Sequence, residues 1–272
     1  MKTNRFLNKN VLITGGSSGI GLEVAIEFGK LGANLFLVAR NKDRLLLAEQ
    51  EIKSRINNNI NIYSFQADVA QREQIETVIN RVANEFGGIH TLINNAGIII
   101  CDRFENILIE EMEKVMKINY MGMLYALKAA LPHIKKFNDG HIGFVSSVSG
   151  FIGTIGYSAY SPSKYAITGL AECVRMEVKE YGIGTTIVFP PDTNTPMLKY
   201  ENENAIPEVK ALKAKAKVIS ADKVAQKFVK GIIDRRFEVI CDFSSKLARI
   251  IKGLKPSILY NAIDNIVKKA SE

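Results

Sequence analysis

The sequence predicts an α/β fold, a parallel sheet wound in two directions and covered by helices on both faces. Three observations carry this. Short β-branched or apolar runs alternate with longer amphipathic segments along nearly the whole chain. A glycine-rich turn joins the first apolar run to the first amphipathic one. No internal repeat or low-complexity linker divides the chain, so a single domain is expected over residues 1–242, followed by an extension over 243–272.

The elements follow in order. Residues 10–14, Asn-Val-Leu-Ile-Thr, read as the first strand, and 19–31 as the helix that follows the glycines. A second strand is expected at 34–38, a helix at 42–55, a strand at 61–66 and a helix at 72–86. Residues 90–94 read as a strand, followed by helical stretches at 110–117 and 122–136. The second half supplies strands at 141–146, 184–189 and 237–241, with helices at 162–181 and 221–234. Strands alternating with helices demand right-handed crossovers and a parallel sheet.

The totals narrow the function classes. A chain of 272 residues, 47% hydrophobic and 24% charged, can bury a sizeable core. No apolar run reaches the roughly 18–20 residues that span a bilayer. Residues 1–10 are polar, and Val11-Leu12-Ile13 is too short for the apolar core of a signal peptide, so a cytoplasmic protein is expected. Cys101, Cys173 and Cys241 are far apart and odd in number, which argues against a disulfide framework. His90, His133 and His141 are equally scattered, and no metal site is expected. The net charge of +8 fits an anionic cofactor or membrane surface better than nucleic acid, because the lysines are dispersed and no nucleic-acid motif accompanies them.

The turn after the first strand reads Thr14-Gly15-Gly16-Ser17-Ser18-Gly19-Ile20-Gly21. Glycines there permit a tight turn and let backbone approach a pyrophosphate, which the free N–H groups of the next helix can bind. The second strand ends Val38-Ala39-Arg40, with Arg44 one helical turn later and no acidic residue to hold a ribose 2′-hydroxyl. Guanidinium groups at that place suit a 2′-phosphate, so NADPH/NADP+ is the expected cofactor. Tyr160 and Lys164 are spaced i, i+4 in Tyr-Ser-Pro-Ser-Lys and share a helix face. An ammonium beside a tyrosine favours its phenolate, and a tyrosine so tuned can protonate a carbonyl oxygen as hydride arrives.

Together these motifs resemble the short-chain dehydrogenase/reductase family, over roughly residues 8–240. The resemblance implies a Rossmann-like fold and a nicotinamide cofactor held by Gly15, Ser17, Ser18, Gly19, Ile20, Gly21, Arg40 and Arg44. It further implies cofactor contacts from Asp68 and Val69, from Asn95, Ala96 and Gly97 within Asn-Asn-Ala-Gly, from Tyr160 and Lys164, and from Pro190, Thr193 and Thr195. The catalytic set it implies is Asn119, Ser147, Tyr160 and Lys164. Ser147 stands thirteen residues before Tyr160, and its choice over Ser146 or Ser149 rests on the family register. Dimers or tetramers built through the helices at 119–136 and 162–181 are also implied.

Pro190-Pro191-Asp192-Thr193-Asn194-Thr195-Pro196 departs from the family's usual Pro-Gly and resembles a subfamily that reduces the 3-keto group of long-chain sphingoid bases. A long-chain keto lipid is thus the expected substrate. A 3-oxoacyl thioester or steroid-like ketone is the alternative, and a catalytically silent NADPH-binding protein is the rival from another class. Residues 196–220 correspond to the family's substrate lid. Ala205, Ile206, Val209, Leu212 and Val218 are candidates for an alkyl channel or for core cover, and Glu201, Glu203 and Glu208 read better as solvated than as amine-facing. In the extension, Leu247, Ile250, Ile251 and Leu254 share one helical face and Lys246, Arg249 and Lys252 the other. Pro256 breaks this pattern, and 258–269 resumes it. Such a segment either packs within the protein or its oligomer, or lies peripherally on an anionic membrane.

Overall fold

The computed structural model describes residues 5–57, 59–214 and 216–271. Residues 1–4, at the polar N-terminus, and the single positions 58, 215 and 272 lie outside the described residues.

The strands are β1 (Asn10–Thr14), β2 (Asn34–Ala39), β3 (Ile62–Gln66), β4 (Thr91–Asn94), β5 (His141–Val145), β6 (Gly184–Phe189), β7 (Thr193–Asn194), β8 (Ile219–Ser220) and β9 (Glu238–Ile240). Seven of them form a parallel sheet in the order β3-β2-β1-β4-β5-β6-β9, and β7 pairs with β8 in a separate ladder. The winding reverses between β1 and β4. In open sheets of this kind ligands bind outside the strand C-termini at such a switch point.

The helices are α1 (Gly19–Lys30), α2 (Lys42–Arg55), α3 (Arg72–Glu85), α4 (Ile109–Met116), α5 (Gly122–Ile134), α6 (Tyr160–Glu177), α7 (Pro196–Asn204), α8 (Pro207–Lys213), α9 (Ala221–Ile233), α10 (Phe243–Leu254) and α11 (Pro256–Ser271). Alternate strand residues feed two cores. Leu12, Phe36, Leu92, Ile142 and Phe144 meet Val78, Ile79, Ala126, Leu127 and Ile167 from α3, α5 and α6. Val11, Ile13, Leu35, Leu37 and Ile93 meet Val24, Phe28, Leu45, Phe228 and Ile232 from α1, α2 and α9. Burial on both faces is why the strands read as apolar runs rather than alternating ones.

Most expected elements fall within a residue or two of their predicted ends. The two stretches near 110–136 are one continuous rod, because a π-helical turn at Lys117–Met121 joins α4 to α5. The expected lid segment holds structure that its sequence did not announce. α7 and α8 each open on a proline in the first turn, where a missing N–H costs nothing, and Thr195 Oγ1 caps α7 by accepting Leu198 N–H at 3.3 Å. Between them runs Ala205-Ile206, too short and too proline-flanked for a clear period.

The extension forms α10 and α11, with the apolar face of α10 turned outward. Arg249 reaches back to Glu238 Oε1 at 2.9 Å and lies over the rings of Phe151 and Phe189, while Lys252 bonds the Phe151 carbonyl and the Tyr165 hydroxyl. Phe243, Leu247, Ile250 and Leu254 are exposed, Phe243 at 79% and Leu254 at 82%. α11 packs along α8 and sends Leu259 and Ile263 to the core beneath. Among the described residues, no helix is long and apolar enough to cross a membrane.

Candidate active site

The glycine turn lies at the switch point, directly after β1. Gly15 adopts φ +67°, and a Cβ there would stand 2.8 Å from the Ala96 Cα and from Asn95 Nδ2. Side chains are therefore excluded from the floor of the turn. Asn95 ties this turn to the loop after β4, donating from Nδ2 to the Thr14 carbonyl at 3.1 Å and the Gly15 carbonyl at 3.0 Å. Thr14 Oγ1 in turn accepts the Asn95 N–H at 3.1 Å. Gly19, at φ +55°, lies beneath Thr195, whose Cγ2 would be 3.1 Å from a Cβ.

A cleft of about 960 Å³ opens over these loops. Gly15, Ser17, Ser18, Gly19, Ile20, Arg40, Arg44, Val69, Asn95, Ala96 and Gly97 line it on one side, and Ser147, Tyr160, Lys164, Pro190, Thr193 and Thr195 line it further along. Three expected site residues stand behind its wall. Gly21 is buried under the turn, where a Cβ would meet the Gly15 carbonyl oxygen at 2.3 Å. Asp68 spends one carboxylate oxygen on the Ala70 N–H at 2.9 Å. Asn119 lies within the π turn, an arrangement often found at functional sites. The open backbone floor, the free helix N-terminus and the two exposed arginines fit a phosphate-bearing dinucleotide.

Asn119 is fully buried and locked from both sides. Its Oδ1 accepts the Ile98 N–H at 2.8 Å, and its Nδ2 donates to the Ile98 carbonyl at 3.0 Å and to Ser163 Oγ at 2.9 Å. A Cβ on Gly97 would lie 3.2 Å from Asn119 Oδ1 and 3.6 Å from Lys164 Nζ, so this glycine is the spacer between them. Lys164 Nζ donates to the Val145 carbonyl at 3.1 Å, and burial lowers its pKa to about 8. The Tyr160 phenol is pushed above its ordinary range, first by burial, and a hydrogen bond with Ser147 opposes that rise. This differs from the sequence expectation that Lys164 draws the phenol downward. The ammonium lies 5.5 Å from the ring centroid, and desolvation of the phenolate dominates.

The far wall of the cleft comes from α6, α7 and α8. Behind it Ile99, Cys101, Tyr157, Tyr160, Ala205 and Val209 form a small apolar cluster with Ile206 packed against it, and of these Ile99, Tyr157 and Tyr160 reach the cleft. Leu212 lines the cleft, whereas Val218 is exposed. Two of the three glutamates expected in solvent are not there. Glu201 accepts the Tyr157 hydroxyl and Lys213 Nζ, and Glu208 pairs with Arg103; only Glu203 is exposed. The missed signal for Glu201 was its spacing: Met197, Leu198 and Glu201 share the inward face of α7, and Ala205, just past its end, is buried beside them.

This fold and this cleft are those of a nicotinamide-dependent oxidoreductase. The chain belongs to the short chain dehydrogenase family, whose model matches residues 9–206. It is 40% identical over 230 residues to the 3-ketodihydrosphingosine reductase of Bos taurus, covering 84% of this chain and 69% of that protein. It is 35% identical over 266 residues to the 3-ketodihydrosphingosine reductase of Dictyostelium discoideum, covering 91% and 79%. Among solved structures, levodione reductase superposes with a TM-score of 0.79 at 26% identity, over 88% of this chain and 97% of that one.

Proposed function

We propose that the chain reduces the 3-keto group of a long-chain 2-amino ketone, 3-ketodihydrosphingosine, to the secondary alcohol with NADPH. One observation carries this reading. Ser147, Tyr160 and Lys164 line the same cleft as apolar lid residues such as Leu198 and Leu212, in a chain about 40% identical to reductases of that ketone. Bound NADPH supplies hydride to the carbonyl carbon. Tyr160 gives its phenolic proton to the carbonyl oxygen, so C=O gains hydride and proton and becomes CH–OH. Burial keeps the phenol protonated through neutral pH, as a proton donor requires. Ser147 donates a hydrogen bond to the oxygen as charge grows on it. Lys164 orients the nicotinamide ribose, and Asn119 fixes the Ile98 backbone beside it. Arg40 and Arg44 hold the 2′-phosphate, and Asp68, through its free oxygen, sits near the adenine.

Residues 196–220 act as the substrate lid in this reading. The exposed apolar face of α10, flanked by Lys246 and Lys255, rests on an anionic membrane surface from which the lipid enters. The test is product formation from 3-ketodihydrosphingosine and NADPH, read as the mass gain of two hydrogens. Tyr160→Phe is expected to lower that rate roughly 10²–10⁴-fold, with NADPH affinity kept. A variant that retains most of its rate would remove Tyr160 as the proton donor.

A further inference from the structure

Glu201 occupies a place that demands an explanation. It is only 6% exposed, on the inward face of α7, yet it carries a carboxylate into the wall of the cleft that holds Tyr160. Burying such a group is costly unless it is paired. Its Oε1 accepts the Tyr157 hydroxyl and Lys213 Nζ, the latter at 2.7 Å. Lys213 also lies 3.5 Å from Asp192 Oδ2. Asp192, Glu201, Lys213 and Tyr157 all line the cleft.

Two features set this group apart from a structural ion pair. Two carboxylates share one ammonium, so within this group the acids outnumber the cation, and the next lysine on the cleft, Lys217, is exposed to solvent. The Asp192 carboxyl is raised, first by burial and further by the charge of Glu201, with Lys213 opposing. The group also stands beside the chemistry. Tyr157 precedes Tyr160 by three residues, and their ring centroids are 6.3 Å apart. Burial raises the Tyr160 phenol most, the Ser147 hydrogen bond opposes it, and the charges of Glu201 and Asp192 add smaller upward pushes.

We infer that Glu201, with Asp192, forms the subsite for the protonated amine of the substrate. The inference rests on the 2-amino-3-ketone reading above and names what selects that ketone. An ammonium one carbon from the carbonyl can bond this wall while its oxygen faces Tyr160 and Ser147. It supplies the positive charge that the two carboxylates lack, alongside Lys213 or in its place. The same wall repels the phosphates of an acyl thioester carrier.

The experiment compares kcat/KM of the full chain for the long-chain 2-amino-3-ketone and for a 3-ketone of equal length without the amine. The wild type is expected to prefer the amino ketone. Glu201→Gln is expected to erase roughly 10- to 100-fold of that preference, chiefly through KM for the amino ketone. Asp192→Asn, at a less buried position, is expected to move the same ratio in the same direction and serves if Glu201→Gln fails to fold. Equal losses on both ketones, or a wild type indifferent to the amine, would overturn the subsite while leaving lipid-ketone reduction intact. Turnover of neither lipid ketone, with turnover of a 3-oxoacyl thioester, would overturn both readings.

Discussion

At the scale of residues, the site is governed by how burial treats charge. Lys164 is buried, desolvation alone sets its shift, and its ammonium donates to the Val145 carbonyl. Its pKa falls from 10.5 to about 8 on folding, so the unfolded chain binds the extra proton between those values. The cofactor-free protein therefore carries the full penalty below pH 8 and sheds it as pH rises toward 10.5. The stability of wild type relative to Lys164→Met should increase by roughly 3 kcal/mol across that window, measured by denaturant unfolding. A pH-independent difference would mean that the amine is solvated. Arg40 stands at the cleft end where β2 stops. Arg40→Asp should lower the preference for NADPH over NADH at least tenfold in kcat/KM, the size of one charge-assisted contact. An unchanged ratio would move the 2′-phosphate elsewhere.

Residue identities on fixed motifs were legible because backbone geometry requires them. Gly15 needs its positive φ and open floor, and Tyr160 and Lys164 need one helix face. Glu201 was not legible, since a charged residue in a polar stretch reads as solvent-facing until the fold sets α7 against Tyr157 and Lys213.

At the scale of elements, long periodic segments declared themselves and short ones did not. β1, α2 and β6 lie where their patterns end. β7 and β8 are two residues each and exist only because the chain returns beside itself, a tertiary fact with no local period. The π turn that carries Asn119 is likewise invisible to a 3.6-residue pattern. The sequence located both faces of α10 and left open which one packs. In the fold the cationic side anchors, through Arg249 and Lys252, because Phe151, Phe189, Glu238 and Tyr165 receive it. The apolar side is left outward. Ile250→Glu should therefore keep the folded stability within about 0.5 kcal/mol, as for surface changes, and reduce co-sedimentation with anionic vesicles about tenfold. Binding unchanged by this substitution would count against membrane contact through α10. A point change is the cleaner test than truncation, because Ser245 and Ile263 of the extension line the cleft.

At the scale of the whole molecule, the sheet order, the cleft and the extension form one arrangement. In the proposed reading, the cleft over the winding reversal between β1 and β4 takes the dinucleotide, and the part lined by the β5–α6 and β6–α7 connections takes the reacting ketone. Leu198, Leu212 and Ile263 from α7, α8 and α11 give the far side apolar surface, beside the Tyr157, Glu201, Lys213 and Asp192 group. That combination suits a long chain with a cationic head next to its ketone. The most direct measurement is the loss of the NADPH absorbance band in the presence of 3-ketodihydrosphingosine in mixed micelles, beside a 3-oxoacyl thioester of the same length. Turnover of the amino lipid with a kcat/KM well above that of the thioester is expected. Turnover of the thioester alone would contradict it, keeping the reductase chemistry while removing the lipid assignment.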